Sequence, residues 1–469
     1  MAKNKVQFID NLSITDFAAE GKSLGRYNDK VIFVPHTAPG DVVNVRINKW
    51  QKNHGEGYVL SFVEKSPLRS EPACFHFGTC GGCKWQHVPY EEQLKFKQKQ
   101  VVEQLRRIAK VELPEVLPIL GCNNHFFYRN KLDFTFGTRR WLSNEEIASG
   151  EKQDFQGLGF HVPGRFDRII DIEKCFLQPD PSNEIRNSLK RFCIEKNIAF
   201  FDAVSKTGQM RGLIIRNSPT TGDLMVIVQF FEDNHEQIFA VMNFLKENFP
   251  QITSLNYIHN PKMNDSYQDL TVNCFAGEPF ITEKMEDLSF RIAPKSFYQT
   301  NSLQAYELYK VVRNFARLTG KEIVYDLYTG TGTIANFVAK QAEKVVGIEY
   351  VPDAVEDAKV NSRLNNLKNT LFFAGDMKDL LNESFIITHG QPDVIITDPP
   401  RAGMHEKVTQ TIIKANPRRI VYVSCNPATQ ARDLQLLDEF YAVTDVQPVD
   451  MFPHTHHVEN VLCLERRNT

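Results

Sequence analysis

From Arg291 to the C-terminus the chain alternates short, nearly all-apolar runs with amphipathic ones. EIVYDLY, KVVGIEY, TLFFAGD, DVIITDPP and RIVYVSC are interleaved with helical patterns such as PDAVEDAKVNSRLNN and PATQARDLQLLDEF. Strands apolar on both faces need helices over both, so this half of the chain predicts an α/β Rossmann-like domain with a parallel, doubly wound sheet. Ligands of such sheets bind at the carboxyl ends of the strands, and that edge is where chemistry is expected.

Gly330-Thr331-Gly332 follows the first strand and opens a helix, and Glu349 ends the second strand nineteen residues after Gly330. The run through Ala335 fits the G-x-G-x-x-A dinucleotide fingerprint, so a nicotinamide-dependent oxidoreductase is one reading; Glu349 would hold ribose hydroxyls in either case. Asp326 argues for another ligand. A carboxylate just before the glycine loop repels a pyrophosphate but attracts the ammonium and sulfonium of S-adenosylmethionine. Asp376, at the end of the third strand, is placed to accept from the adenine amino group. Both aspartates could instead simply cap the segments that follow them. Asp398-Pro399-Pro400-Arg401 ends the fourth strand. Amino-methyltransferases carry an aromatic ring at the last position of a similar signature, so Arg401 argues against transfer to an exocyclic nitrogen.

Cys425 ends strand RIVYVSC directly before Asn426-Pro427 and a helix, where the helix N-terminus should lower a thiol's pKa. Cys463, inside the apolar run VENVLCLE, reads as a packing residue. Near the chain's end, Met451 to Glu459 carries three histidines and a carboxylate. Without metal-site spacing the histidines are expected to make hydrogen bonds and Glu459 to be the chemical group. A thiol, a base and a methyl donor suit methylation of uracil carbon 5, which is too weak a nucleophile unaided. Cys425 would attack carbon 6, Glu459 would remove the carbon 5 proton, and Arg401 would stabilise the developing enolate oxygen.

Upstream, short strands separated by glycine turns read as an OB-like β-barrel able to bind oligonucleotides. A mixed α+β region follows, and a helix is expected from Tyr90 to Ala109 with a cationic outer face. The 469 residues divide into a barrel (1–66), a central domain (67–285) and the Rossmann-like domain (286–469). The net charge of −2 hides local excesses of +4 between Lys84 and Lys110 and +5 between Arg291 and Lys321, either of which could meet phosphates. The start of the chain lacks the apolar core of a secretory signal, so a cytoplasmic protein with reduced thiols is expected. No run approaches the ~20 apolar residues that span a bilayer. Cys74, Cys80 and Cys83 lie within ten residues, with Cys175 at a distance. They could bind zinc or a [4Fe-4S] cluster; zinc sites more often use two close pairs.

DLYTGTG, TDPPRAGM, VSCNPATQARD and FPHTHHVE together resemble motifs of the RNA uracil-5-methyltransferases, along nearly the whole chain. That resemblance implies a TRAM domain for the barrel, and the cysteine spacing resembles the iron-sulfur signature of the ribosomal-RNA branch. It further implies that Gln299 in SFYQTN, Tyr328, Glu349 and Asp398 contact S-adenosylmethionine, with Cys425 as nucleophile and Glu459 as proton acceptor. Thr329 and Thr333 depart from the Cys and Asn found in relatives. The expectation is methylation of a 23S ribosomal RNA uridine. The alternatives are the same chemistry on tRNA, disfavoured because that branch typically lacks barrel and cluster, an oxidoreductase, or an RNA-binding protein without catalysis.

Overall fold

The computed structural model describes residues 7–151 and 153–467, so the first six residues, residue 152 and the last two lie outside it. Strands β1 (Gln7–Phe17), β2 (Ser23–Tyr27), β3 (Lys30–Val34), β4 (Val42–Trp50) and β5 (His54–Glu64) close into a barrel in the order β1-β2-β3-β5-β4. β1 is not among the strands expected from the sequence. Its register against β4 shifts between Ile9 and Leu12, around Asn11 at φ 53°, so its buried residues Ile9, Leu12 and Ile14 do not alternate strictly.

Helix α1 (Tyr90–Gln104) continues as a π-helical segment, Leu105–Ala109, as the periodicity predicts. Its buried row runs Gln93, Lys97, Val101, Leu105, Ala109, one residue every fourth position on one helix face. The central domain is a sheet of β6 (Lys131–Gly137), β7 (Gly157–His161), β8 (Ile169–Asp171), β9 (Met210–Asn217), β10 (Leu224–Phe230), β11 (Ser254–His259) and β12 (Asn273–Gly277). Its order is β12-β11-β10-β9-β6-β7-β8. α2 (Asn144–Ser149), α3 (Ser182–Glu195) and α4 (His235–Asn248) lie between strands, the last two burying Leu189 and Leu245 in the central core. The hairpin β13 (Ile281–Met285) and β14 (Leu288–Ile292) packs Phe290 and Ile292 into the C-terminal core, so the expected boundary at 285/286 falls in its turn.

The C-terminal domain contains α5 (Ser302–Ala316), β15 (Ile323–Leu327), α6 (Thr333–Val338), β16 (Lys344–Glu349), α7 (Pro352–Leu364), β17 (Thr370–Ala374), α8 (Met377–Leu380) and α9 (Glu383–His389). There follow β18 (Val394–Thr397), α10 (Glu406–Ala415), β19 (Arg419–Ser424), α11 (Pro427–Leu437), β20 (Tyr441–Val449) and β21 (Glu459–Arg466). The sheet order is β17-β16-β15-β18-β19-β21-β20. Val345, Ile395, Ile396 and Val421 are wholly buried, each contributing roughly 1.5–3 kcal/mol by burial. The sheet is not wholly parallel. β21 runs antiparallel to both β19 and β20, because a hairpin loop turns the chain back. A strand that begins, rather than ends, at the carboxyl edge brings Glu459 there.

Part of the charge of the basic stretches is paired within the fold. On α1, Lys95 pairs with Glu92, Lys97 with Asp450 and Lys99 with Asp16. Farther along, Lys310 pairs with Glu307, Arg313 with Glu286 and Arg317 with Asp445 and Glu465. Among the described residues no helix is long and apolar enough to cross a membrane.

Candidate active site

The glycine loop leaves β15 through Tyr328, which sits at φ 62°, a conformation rarely adopted by a bulky side chain and often kept where a site needs it. Gly332, at φ 75°, admits no side chain, since a Cβ there would come within 2.7 Å of the Ala358 Cβ. Glu349 is held from both ends: Gly330 N–H donates to one carboxylate oxygen at 3.1 Å and Val351 N–H to the other at 3.0 Å. Gly330 and Glu349 line a cavity of about 710 Å³ together with Phe297. Asp326 lies deeper, accepting from Thr329 Oγ1 at 2.5 Å, and burial pushes its carboxyl up to about 7. Tyr328 lies close enough to Asp376 and Glu349 for their charges to raise its phenol, after burial. Asp376 itself does cap α8, taking Lys378 N–H at 3.1 Å and the Lys378 ammonium at 2.7 Å. The backbone carbonyl of Gln299 accepts from Asn130 Nδ2 at 2.8 Å, which ties this segment to the central domain.

At the next strand ends, the ladder register pairs Ser424 with Asn460, so Cys425 and Glu459 face each other one step beyond it. Asp398 follows β18 beside them. Burial first, and then the charges of Glu459 and Asp398, push the Cys425 thiol up to about 11, while Arg401 opposes. This corrects the expectation of a depressed thiol: the Pro427 helix start is outweighed by burial and by two carboxylates. Glu459 rises to about 8 by burial and by Asp398, and Asp398 to about 7 by burial. Arg401 rests on His457, 3.2 Å from its Nδ1. The sequence singled out these residues and the fold brings them to one edge.

Tyr309 was not singled out, and the Met451–Glu459 run was singled out for its histidines and carboxylate rather than for its backbone. Tyr309 of α5 is fully buried, and Asp398, Asp326 and Glu459 are among the charges that raise its phenol after burial. The loop from Asp450 to Val458, which joins β20 to β21, turns five successive carbonyls onto donors from elsewhere. Cys122 Sγ reaches Asp450 O at 3.0 Å, Asn301 Nδ2 reaches Met451 O at 2.9 Å, and Lys97 Nζ reaches Phe452 O at 3.1 Å. Tyr128 Oη donates to Pro453 O at 3.0 Å, and Lys84 and Trp85 N–H donate to His454 O at 2.7 and 3.0 Å. The signal was available: Gln93 and Lys97 lie in phase with apolar Val101 and Leu105 on α1.

Cys74, Cys80, Cys83 and Cys175 line one cavity of about 450 Å³ with Arg129 and Lys174 at its wall. All nine cysteines are free, and burial raises these four thiols, Cys80 to about 11 and Cys83 to about 12. Among the described residues no three metal-ligating side chains converge on a single ion position.

The family described as tRNA (Uracil-5-)-methyltransferase matches residues 279–467, and the TRAM domain matches residues 11–60. An uncharacterised RNA methyltransferase of Bacteroides thetaiotaomicron is 58% identical over 454 residues, covering 96% of this chain and 100% of its own. One from Porphyromonas gingivalis is 55% identical, covering 97% and 99%. Among solved structures, the Pyrococcus abyssi tRNA (uracil-54, C5)-methyltransferase in complex with S-adenosyl-L-homocysteine superposes with a TM-score of 0.76 at 29% identity, covering 97% of this chain and 100% of its own.

Proposed function

The chain belongs to the RNA (uracil-5-)-methyltransferases that carry a TRAM domain, S-adenosylmethionine-dependent enzymes acting on uracil carbon 5, and we propose that it modifies a uridine of large-subunit ribosomal RNA through a covalent adduct with Cys425. The observation that carries the mechanism is the meeting of Cys425, Asp398, Arg401 and Glu459 at one strand edge.

The crevice suits the methyl donor. Asp326 and Asp398 are buried carboxyls with no cation among the groups that shift them, and an ammonium and a sulfonium would supply that charge. Glu349 would take the ribose hydroxyls, with Gln299, Tyr328, Gly330, Gly332 and Asp376 around the remainder. When bound, S-adenosylmethionine supplies the electrophilic methyl group. The Cys425 thiol gives up its proton to solvent as its sulfur forms a bond to carbon 6, and the C5=C6 pair moves toward the carbonyl oxygen as an enolate that Arg401 stabilises. Carbon 5 then takes the methyl group, the broken S–CH3 pair staying on the donor's sulfur. Glu459 accepts the carbon 5 proton, the double bond re-forms, and the Cys425 thiolate leaves.

For the four cysteines we propose a [4Fe-4S] cluster. Tetrahedral zinc holds each thiolate about 2.3 Å from one ion, whereas among the described residues no three of these side chains converge on one ion position, and the cations Arg129, Lys174 and Lys84 that line the same cavity would offset a cluster's negative charge. Such a cluster would brace the loop that follows Cys83. Protein purified without oxygen is expected to contain iron and acid-labile sulfide, lost together in Cys80→Ser; stoichiometric zinc alone would overturn the assignment.

The same chemistry on tRNA is a second reading, favoured by the Pyrococcus abyssi enzyme. It aligns over 97% of this chain, so the barrel's presence does not discriminate between the two targets. Ribosomal RNA is retained on the cysteine spacing. Labelled methyl transfer to unmodified ribosomal and transfer RNA, followed by nucleoside analysis, tests this. 5-Methyluridine is expected in large-subunit RNA; label only in tRNA selects the second reading, and absence of 5-methyluridine from both overturns the first.

A further inference from the structure

We propose that Lys97 and Gln93 are positioning residues for the proton-transfer step, acting through the Asp450–Val458 loop; this rests on the assignment of Glu459 as the proton acceptor. The loop is a nine-residue hairpin connection whose two ends, Val449 and Glu459, pair in the β20–β21 ladder. Hairpin loops usually have 2–5 residues. Among the described residues no hydrogen bond fixes the Glu459 side chain, so its aim depends on the backbone that carries it.

Lys97 and Gln93 hold that backbone from one face of α1. Lys97 is fully buried and spans two loop positions, 2.7 Å from Asp450 Oδ1 and 3.1 Å from Phe452 O. Asp450 Oδ1 also takes Phe452 N–H at 2.9 Å, closing a small ring about the ammonium. Burial lowers the Lys97 ammonium, and Asp450 opposes this. One turn earlier, Gln93 Oε1 accepts His454 N–H at 2.8 Å and Gln93 Nε2 lies 3.2 Å from His454 Nδ1. His454 is held at φ 64°, a conformation non-glycine residues keep only where their surroundings impose it. The same Gln93 amide also donates to Trp85 O and Val88 O, so the loop is locked to the segment leaving the cysteine cavity.

A stabilising role alone accounts poorly for this arrangement. Buried ion pairs add little stability over well-packed apolar residues, whereas the Lys97 ammonium here ties two loop positions to α1. The base must meet the carbon 5 proton within hydrogen-bond reach, and a displacement of about 1 Å can cost about 10²-fold in rate.

The test uses the full chain with Lys97→Met and Gln93→Leu made separately. Each is expected to trap 5-fluorouridine RNA as wild type does, because Cys425 attack and methyl transfer precede the base. On ordinary RNA each should resolve its methylated adduct about 10²-fold more slowly, so that protein–RNA adduct accumulates on denaturing gels. The pair Lys97→Met/Asp450→Asn, which removes both charges but keeps a side-chain oxygen as acceptor, should regain thermal stability without regaining adduct resolution. If Lys97→Met does not fold, Gln93→Leu, which leaves the ion pair intact, decides. Resolution at wild-type speed in folded Gln93→Leu, parallel loss of trapping and resolution, or recovery in the double variant would each overturn the proposal. Failure of wild-type protein to trap any RNA would instead overturn the assigned chemistry and this inference with it.

Discussion

Cys425→Ala should cut methyl transfer on the order of 10⁵-fold, as loss of a covalent nucleophile does elsewhere, while S-adenosylmethionine binding stays close to wild type. The thiol is the group at this edge placed to add to carbon 6, and without that addition carbon 5 has no enolate to drive its attack. The clearest readout is 5-fluorouridine RNA. Fluorine cannot leave as a proton, so wild-type protein should accumulate an adduct stable to denaturing electrophoresis, and Cys425→Ala none. Cys463→Ala separates the two C-terminal thiols. Cys463 is fully buried in β21, its Sγ 3.6 Å from Phe315 O, and its loss should lower stability without touching the trap. Undiminished trapping by Cys425→Ala would sink the nucleophile assignment.

What was legible in the sequence was periodicity and punctuation. The alternation after Arg291 specified strands β15 to β19 and their helices, because fully buried strands and amphipathic helices differ in period. The strand ends Asp326, Glu349, Asp398 and Cys425 followed from that, since a parallel sheet puts its strand ends on one edge. Glu459 was legible as the base, but not its position. Its place opposite Cys425 depends on β21 running antiparallel, and VENVLCLE has no alternation that distinguishes its direction. β1 was hidden by its bulge. Pairing was hidden as well: nothing local says that Lys99 meets Asp16 or that Lys97 meets Asp450, contacts made across the fold that offset part of the helix's positive charge. The thiol's direction was misread for a related reason, because a helix N-terminus is visible in sequence and two carboxylates gathered by topology are not.

Glu459→Gln should stop the reaction one step later than Cys425→Ala, and the carboxyl's environment says how. An amide cannot accept the carbon 5 proton, so turnover should fall on the order of 10³-fold, the usual range for losing a general base. The methylated adduct should persist on ordinary RNA, where wild type shows little. Adduct formation should not slow, because the charge that helps push the Cys425 thiol up to about 11 is removed with the carboxylate. The pH dependence has a definite sign. Burial and then Asp398 raise the Glu459 carboxyl to about 8, Arg401 opposing, and only its ionised form can take a proton. Below that value the ionised fraction grows about tenfold per pH unit, so adduct decay in a single turnover should accelerate as pH rises toward 8 and level off above it. In Glu459→Gln that rise should vanish. A wild-type decay rate independent of pH between about 6 and 8, or a Gln variant that releases product at wild-type speed, would remove Glu459 from the proton-transfer step and leave Asp398, raised to about 7 by burial, as the carboxyl at this edge to test next.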